Sequence, residues 1–163
     1  MKYTLIILGT ILIAALTGCE KERLPRPSQR GRNLVAWRTD GDASIAKGES
    51  FIGGNRASYT LGADSVLSIS GFGSSDNIVT LRCRFEELNT PLPLFVYQAT
   101  LSSNCDDVPM GHCVYQTTPD YSGTVTVTYY DGNIIAGIFR TDVMNEAGEV
   151  KHITDGRFDI KSE

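Results

Sequence analysis

The stretch Gly123-Thr124-Val125-Thr126-Val127-Thr128-Tyr129-Tyr130 alternates in polarity, and Asp131-Gly132-Asn133 separates it from the apolar run Ile134 to Thr141. Successive side chains of a strand point to opposite faces, so a period of two puts Val125, Val127 and Tyr129 on one face; a helix would scatter them. Asp-Gly between two such runs is a strong hairpin signal. The pattern predicts an antiparallel pair with Val125, Val127 and Tyr129 toward a core and Tyr130 on the threonine face. Gly137 reads as a bulge or a close-packing point.

The remaining chain repeats this texture in shorter pieces. Strands are expected over Leu34 to Arg38, turned by Asp40-Gly41, then weakly around Ser44-Ile45 and Ser50-Phe51-Ile52, and over Ala57 to Leu61. Ser65 to Ser70 follows, turned by Gly71 to Asn77 into Val79 to Phe85, where Val79, Leu81, Cys83 and Phe85 share the inner face and Arg82 and Arg84 the outer. Another strand is expected over Leu94 to Thr100 after Pro91 and Pro93, with a short one at Cys113 to Gln116. Val150 to Lys161 reads as two strands or one kinked at Asp155-Gly156. No stretch carries helical periodicity, and short strands between polar turns indicate an all-β fold. The expected architecture is a single antiparallel β-sandwich or barrel-like domain over residues 34–163.

Ahead of that domain, Tyr3 to Gly18 is uncharged and mostly apolar, follows Lys2, and ends in Leu16-Thr17-Gly18-Cys19. The run has the length of a secretory signal, short of the about 20 apolar residues of a spanning helix, with small residues before the cut. It resembles the lipobox of bacterial lipoproteins, in which the cysteine thiol takes a diacylglycerol and the signal is removed before it. The resemblance implies a signal peptide over residues 1–18, lipidation at Cys19 and outer-membrane anchoring by acyl chains (palmitate among them) without a transmembrane helix. Residues 20–33 hold Pro25, Pro27, Ser28, Gln29 and Gly31, with Leu24 the only bulky apolar side chain; 19–33 reads as a lipidated flexible tether, with docking of Leu24-Pro25 on the domain as the alternative.

Charge divides at the same boundary. Glu20 to Arg32 carries five basic and two acidic residues, +3, whereas Asn33 onward carries nine basic and seventeen acidic, −8. A basic tether suits anionic head groups, and an acidic globule argues against nucleic acid; the same charges also serve solubility and a solvated linker. Beyond Cys19, an oxidising compartment favours a disulfide between Cys105 and Cys113, which bracket a loop of turn residues. Cys83, on the inner face of its strand, is left over as a small apolar side chain.

Two segments resemble a family of uncharacterised Bacteroidota lipoproteins, a domain of unknown function. One is Leu24-Pro25-Arg26-Pro27-Ser28-Gln29-Arg30-Gly31-Arg32-Asn33, similar to the family's Leu-Pro, Ser-Gln, Gly and Asn entry. The other is the ending, with Ser122 to Val127, Gly137-Ile138-Phe139 and Ile153-Thr154-Asp155-Gly156-Arg157-Phe158-Asp159-Ile160. The resemblance implies a β-rich envelope lipoprotein and no activity.

Residue types that carry catalysis are sparse. The histidines are His112 and His152, and no HExxH, nucleophile elbow or P-loop occurs. Cys105, Asp106, Asp107, His112 and Cys113 lack a zinc spacing. Asp40-Gly41-Asp42-Ala43-Ser44 begins like a calcium loop but has Ile45 and Phe51 where Gly and Glu are needed. Gly71-Phe72-Gly73 precedes no helix; adjacent Glu86 and Glu87 face opposite ways in a strand; His152 reads as exposed. No cofactor, metal or catalytic residue is assigned. The expectation is a non-enzymatic binding or assembly module with an unknown protein or glycan partner. The alternatives are a surface glycan-binding lipoprotein, using Trp37 and Tyr130 for stacking, and an envelope hydrolase with an unrecognised site.

Overall fold

The computed structural model describes residues 23–48, 57–73, 77–95, 100–104 and 112–162. The expected signal peptide, Cys19 and Cys105 lie outside them. The described residues form eleven strands: β1 (Leu34–Thr39), β2 (Asp42–Lys47), β3 (Ala57–Leu61), β4 (Val66–Phe72), β5 (Ile78–Arg84), β6 (Pro91–Pro93), β7 (Thr100–Asn104), β8 (His112–Gln116), β9 (Gly123–Tyr130), β10 (Ile134–Met144) and β11 (Val150–Lys161). They build one antiparallel sheet in the order β2-β1-β11-β10-β8-β7-β5-β4-β3, with β9 beside β10 and β6 beside β9. The sheet curls into a nearly closed barrel, so the barrel-like alternative is the one adopted. Near its margin, Tyr59 Oη on β3 donates to Asn133 O in the β9–β10 turn at 3.4 Å.

Alternation fills the barrel. Val79, Leu81 and Cys83 of β5 point inward as expected, beside Leu67 and Ile69 of β4 and Val125 and Val127 of β9, all buried. The long strand β10 is the pivot: β11 pairs along its length, while its other edge is shared between β9 and, at Met144, β8. Turns follow the sequence signals. Asp40 (φ 50°) and Gly41 (φ 97°) supply the two positive φ values of a type I′ hairpin between β1 and β2. In the next hairpin signal, Asp131 Oδ1 accepts from the N–H of Asn133 at 2.9 Å and of Ile134 at 2.7 Å.

Several expectations are corrected. The strand expected over Leu94 to Thr100 divides: β6 precedes it, β7 begins at its last residue, Leu94 forms only an isolated bridge to Cys83, and 96–99 lie outside the described residues. Prolines are tolerated in β6 because Leu94 N donates to Gly123 O at 3.0 Å. Alternation then turns the nitrogens of Pro91 and Pro93 away from β9, so no ladder bond is lost. Of the weak pair expected after β1, the Ser44-Ile45 member lies in β2, matched to β1 from Thr39↔Asp42 to Leu34↔Lys47; the member at residues 50–52 lies outside the described residues.

β11 is one strand with a bulge. Ile153 faces Thr141 and Gly156 faces Phe139, leaving one extra residue opposite Arg140, and Asp155 takes φ 52°. The bulge moves the inward phase from Ile153 to Phe158 and Ile160. At Gly156 a Cβ would lie 2.5 Å from Phe139 O and from that ring, so the bulge closes only around a bare backbone.

β9 carries a second bulge, and it reverses the expected faces of two tyrosines. Ala136 pairs with Tyr129 but Gly137 with Val127, which leaves Thr128 extra. One inserted residue flips every side chain beyond it. Tyr130 therefore packs against the core, and Tyr129 turns outward to donate to Asp131 Oδ2 at 2.9 Å.

Candidate functional site

Residues 23–33, expected as a flexible tether, form neither helix nor strand but lie bonded along the outside of the barrel as a strap. Arg157 Nη1 donates to Pro25 O at 2.6 Å, Gly31 N to Asp159 Oδ1 at 2.7 Å, and Lys161 N to Asn33 Oδ1 at 3.0 Å. Gly31 adopts φ +64°, and a Cβ there would stand 2.9 Å from Lys161 Cβ, so the approach needs glycine for both reasons. Asp159 is on the outer side of β11, yet it is 1% exposed, and Oδ2 of its carboxylate has no hydrogen-bond partner among the described residues. The polar composition that marks a linker also supplies these backbone-directed contacts.

Two adjoining concavities flank the strap and share Pro27 and Ile138. One of about 690 Å³ is lined by Arg26, Arg30, Arg32 and Thr128; the other, of about 480 Å³, by Thr124, Thr126, Arg140 and Arg157. Ile138 stands 49% exposed between them.

A third groove, of about 640 Å³, opens between β3 and the β9–β10 turn and is lined by Tyr59, Thr60, Tyr130, Gly132, Lys161 and Ser162. Tyr130 is braced edge-on by Phe85, with ring centroids 5.6 Å apart and planes at 81°. Burial, reinforced by Tyr130 and Asp131, raises the Tyr59 hydroxyl above the ordinary phenol range, and a hydrogen bond with Ser162 only partly opposes it. Tyr59 is therefore a protonated donor at neutral pH. Two tyrosines, a lysine and a serine line this groove, residue types suited to stacking and hydrogen bonding with a polyol.

At the β1–β2 turn, Asp40 N donates to His152 O at 3.0 Å, and Asp40 Oδ1 accepts from His152 N at 2.9 Å. Lys151 Nζ bridges Asp40 Oδ2 at 3.4 Å and Glu149 Oε1 at 2.9 Å, and Tyr115 Oη donates to Glu149 Oε2 at 2.6 Å. The Tyr115 hydrogen bond leads the forces that hold Glu149 below the usual carboxylate range. His152, exposed as expected, meets Asp142 at 2.8 Å, which raises the imidazole above its ordinary value.

The residues singled out from the sequence do not assemble into one site. Trp37 is 0% exposed, so the stacking role expected of it is corrected: its indole lies against β4, where Cβ atoms built on Gly71 and Gly73 would be 3.3 and 2.9 Å away. Tyr130 reaches a groove, but half-buried rather than as a free platform. Cys83 is a free buried thiol pushed up to about 11 by burial. Cys113 is disulfide-bonded. Glu86 and Glu87 are exposed beyond the end of β5. Sequence reasoning missed Tyr59, Lys161 and Ser162, which only barrel closure brings to Tyr130, and the outward pair Ile138 and Arg140.

Protein-family models, curated proteins and solved structures were all compared with this chain, and none matches it.

Proposed function

We propose that the chain is a lipid-anchored lipoprotein of the bacterial outer membrane, similar to the uncharacterised Bacteroidota lipoproteins, whose barrel-like domain acts by binding or assembly rather than catalysis. The observation that carries this reading is the docked strap. Cys19, the lipidation residue of this reading, precedes by a few residues a segment bonded to β11 through Pro25, Gly31 and Asn33. An anchor attached there would hold the domain at a defined attitude instead of on a loose leash. The two segments that carry the family resemblance are also the two sides of this clasp, which gives their pairing a physical reason. Cys105 is the proposed partner of Cys113.

Fractionation of cells tests the reading. The natural chain is expected with membranes and labelled by palmitate, and Cys19→Ala in the soluble fraction; a Cys19→Ala chain that stays membrane-bound after loss of its signal overturns it. Protease shaving of intact cells then assigns the face of the membrane.

A glycan-binding role is the second reading, favoured by Tyr59 and Tyr130 on one groove with Lys161 and Ser162. Tyr59→Phe, which keeps the packed ring and removes the hydroxyl donor, is expected to weaken retention on a polysaccharide column with little change in melting temperature, and equal retention would remove the groove from consideration.

A further inference from the structure

The strap is the most basic part of the chain, and docking places its charge on one face. Arg26, Arg30 and Arg32 are exposed along the strap, and Arg140 is exposed on β10 beside them. Among the described residues no carboxylate forms an ion pair with any of the four; ion pairs form instead at Arg38, Lys151 and His152. The acidic residue lining these concavities, Asp155, is engaged by Arg38 at 3.5 Å. At the centre stands Ile138, 49% exposed, next to exposed Pro27. The chain from Asn33 onward, Arg140 included, has the opposite sign, −8. The result is an apolar point ringed by uncommitted guanidiniums on an otherwise acidic barrel.

We propose that this face, made by the strap and the outer side of β9–β10, lies against the membrane and binds the phosphate groups of anionic lipids. The inference rests on the lipoprotein reading, which also decides between occupants. Four peptide units join Cys19 to Arg23, and an extended chain of that length reaches at most about 14 Å. A lipid on Cys19 therefore brings the start of the strap to head-group level, and the clasp to β11 carries Arg26, Arg30, Arg32 and Arg140 there with it. Arginine suits this task because its planar fork bonds phosphate oxygens in pairs. The acyl chains hold the chain at the membrane by themselves; a basic patch beside them adds attraction to anionic head groups and so sets which face of the domain meets the bilayer. The docked geometry adds orientation: the acidic remainder of the barrel is held away from the bilayer.

The test uses the full chain purified from membranes and reconstituted into phosphatidylcholine vesicles with or without phosphatidylglycerol, the lipid tails brominated as quenchers. A fluorophore is attached at Ile138→Cys, or, as a control, at Phe72→Cys, a second exposed apolar position on β4. Quenching at position 138 is expected to rise about threefold when phosphatidylglycerol is present and to fall back in high salt, with position 72 unchanged. Arg30→Ser with Arg32→Ser should abolish the rise. Both positions are exposed, so an unchanged melting temperature provides the folding control. Equal quenching at position 138 in both vesicle types, or equal quenching at positions 72 and 138, overturns the proposal. The mass of the N-terminal peptide separates the two claims. If Cys19 carries no acyl chain, the anchor reading fails on its own, and the same comparison with the chain added to preformed vesicles still decides whether the arginine face binds anionic lipid.

Discussion

Gly31 donates its backbone N–H to Asp159 Oδ1 at 2.7 Å, joining positions 128 residues apart in the sequence. Asp159 stands in register between Leu34 of β1 and Ala136 of β10, both buried although outside the interior cluster. Asp159→Ala would leave the Gly31 N–H without its acceptor, a loss of about 1–3 kcal/mol by the cost of an unsatisfied buried donor. Asp159→Asn keeps an acceptor and should lose less. Urea unfolding measures the difference, and trypsin should cut at Arg30 and Arg32 faster in the alanine variant. Equal cleavage rates would mean that the clasp does not restrain the strap.

Gly156 sits in the β11 bulge with Phe139 O and the Phe139 ring 2.5 Å from where a Cβ would be. Neither the strand backbone nor a core ring yields easily, so Gly156→Ala should destabilise the domain by about 1–3 kcal/mol. Gly132→Ala, where nothing stands within 4 Å but φ is +91°, should cost about 1 kcal/mol through backbone strain alone. Thermal melts of the two variants separate crowding from strain.

His152 titrates above its ordinary value because Asp142 accepts a hydrogen bond from it and adds charge attraction. A raised folded value gives stability that is fully present below the unfolded value, about 6.5, and is lost as pH rises through the folded one. Both side chains are exposed, so the effect on folding is small, and the direct measurement is the imidazole titration by NMR. It should move back toward 6.5 in Asp142→Asn; an unchanged titration would remove Asp142 as the cause.

The Cys83 thiol, buried and pushed up to about 11, holds almost no thiolate at neutral pH. Alkylating reagents should leave it unmodified in the folded chain and modify it fully in denaturant, as read by intact mass. Modification of Cys83 without unfolding would contradict its place on the inner face of β5.

The sequence made the strands legible where alternation is strict. Val79, Leu81 and Cys83 point inward as the period of two predicts, and two of the three Asp-Gly pairs, at Asp40 and Asp131, make hairpin turns, while Asp155-Gly156 forms the β11 bulge. Phase was harder. The extra residue Thr128 in β9 carries no glycine or proline to mark it, so the faces of Tyr129 and Tyr130 were inverted beyond it. Trp37 was a stacking candidate only as an aromatic residue, and nothing in its strand marks that β4, through Gly71, approaches β1 and buries the indole. The strap was least legible. Proline, arginine and serine resist a regular ladder, and the bonds that hold this segment come from Arg157, Asp159 and Lys161, far along the chain. Tyr59 and Tyr130 share a groove only because the sheet closes on itself.

The measurement that bears most directly on the account is the mass of the N-terminal peptide of the mature chain isolated from cells. The account predicts a peptide beginning at Cys19 and carrying a diacylglycerol with a further acyl group on its amine. A mature chain that begins elsewhere, or a Cys19 with an unmodified thiol, would contradict it.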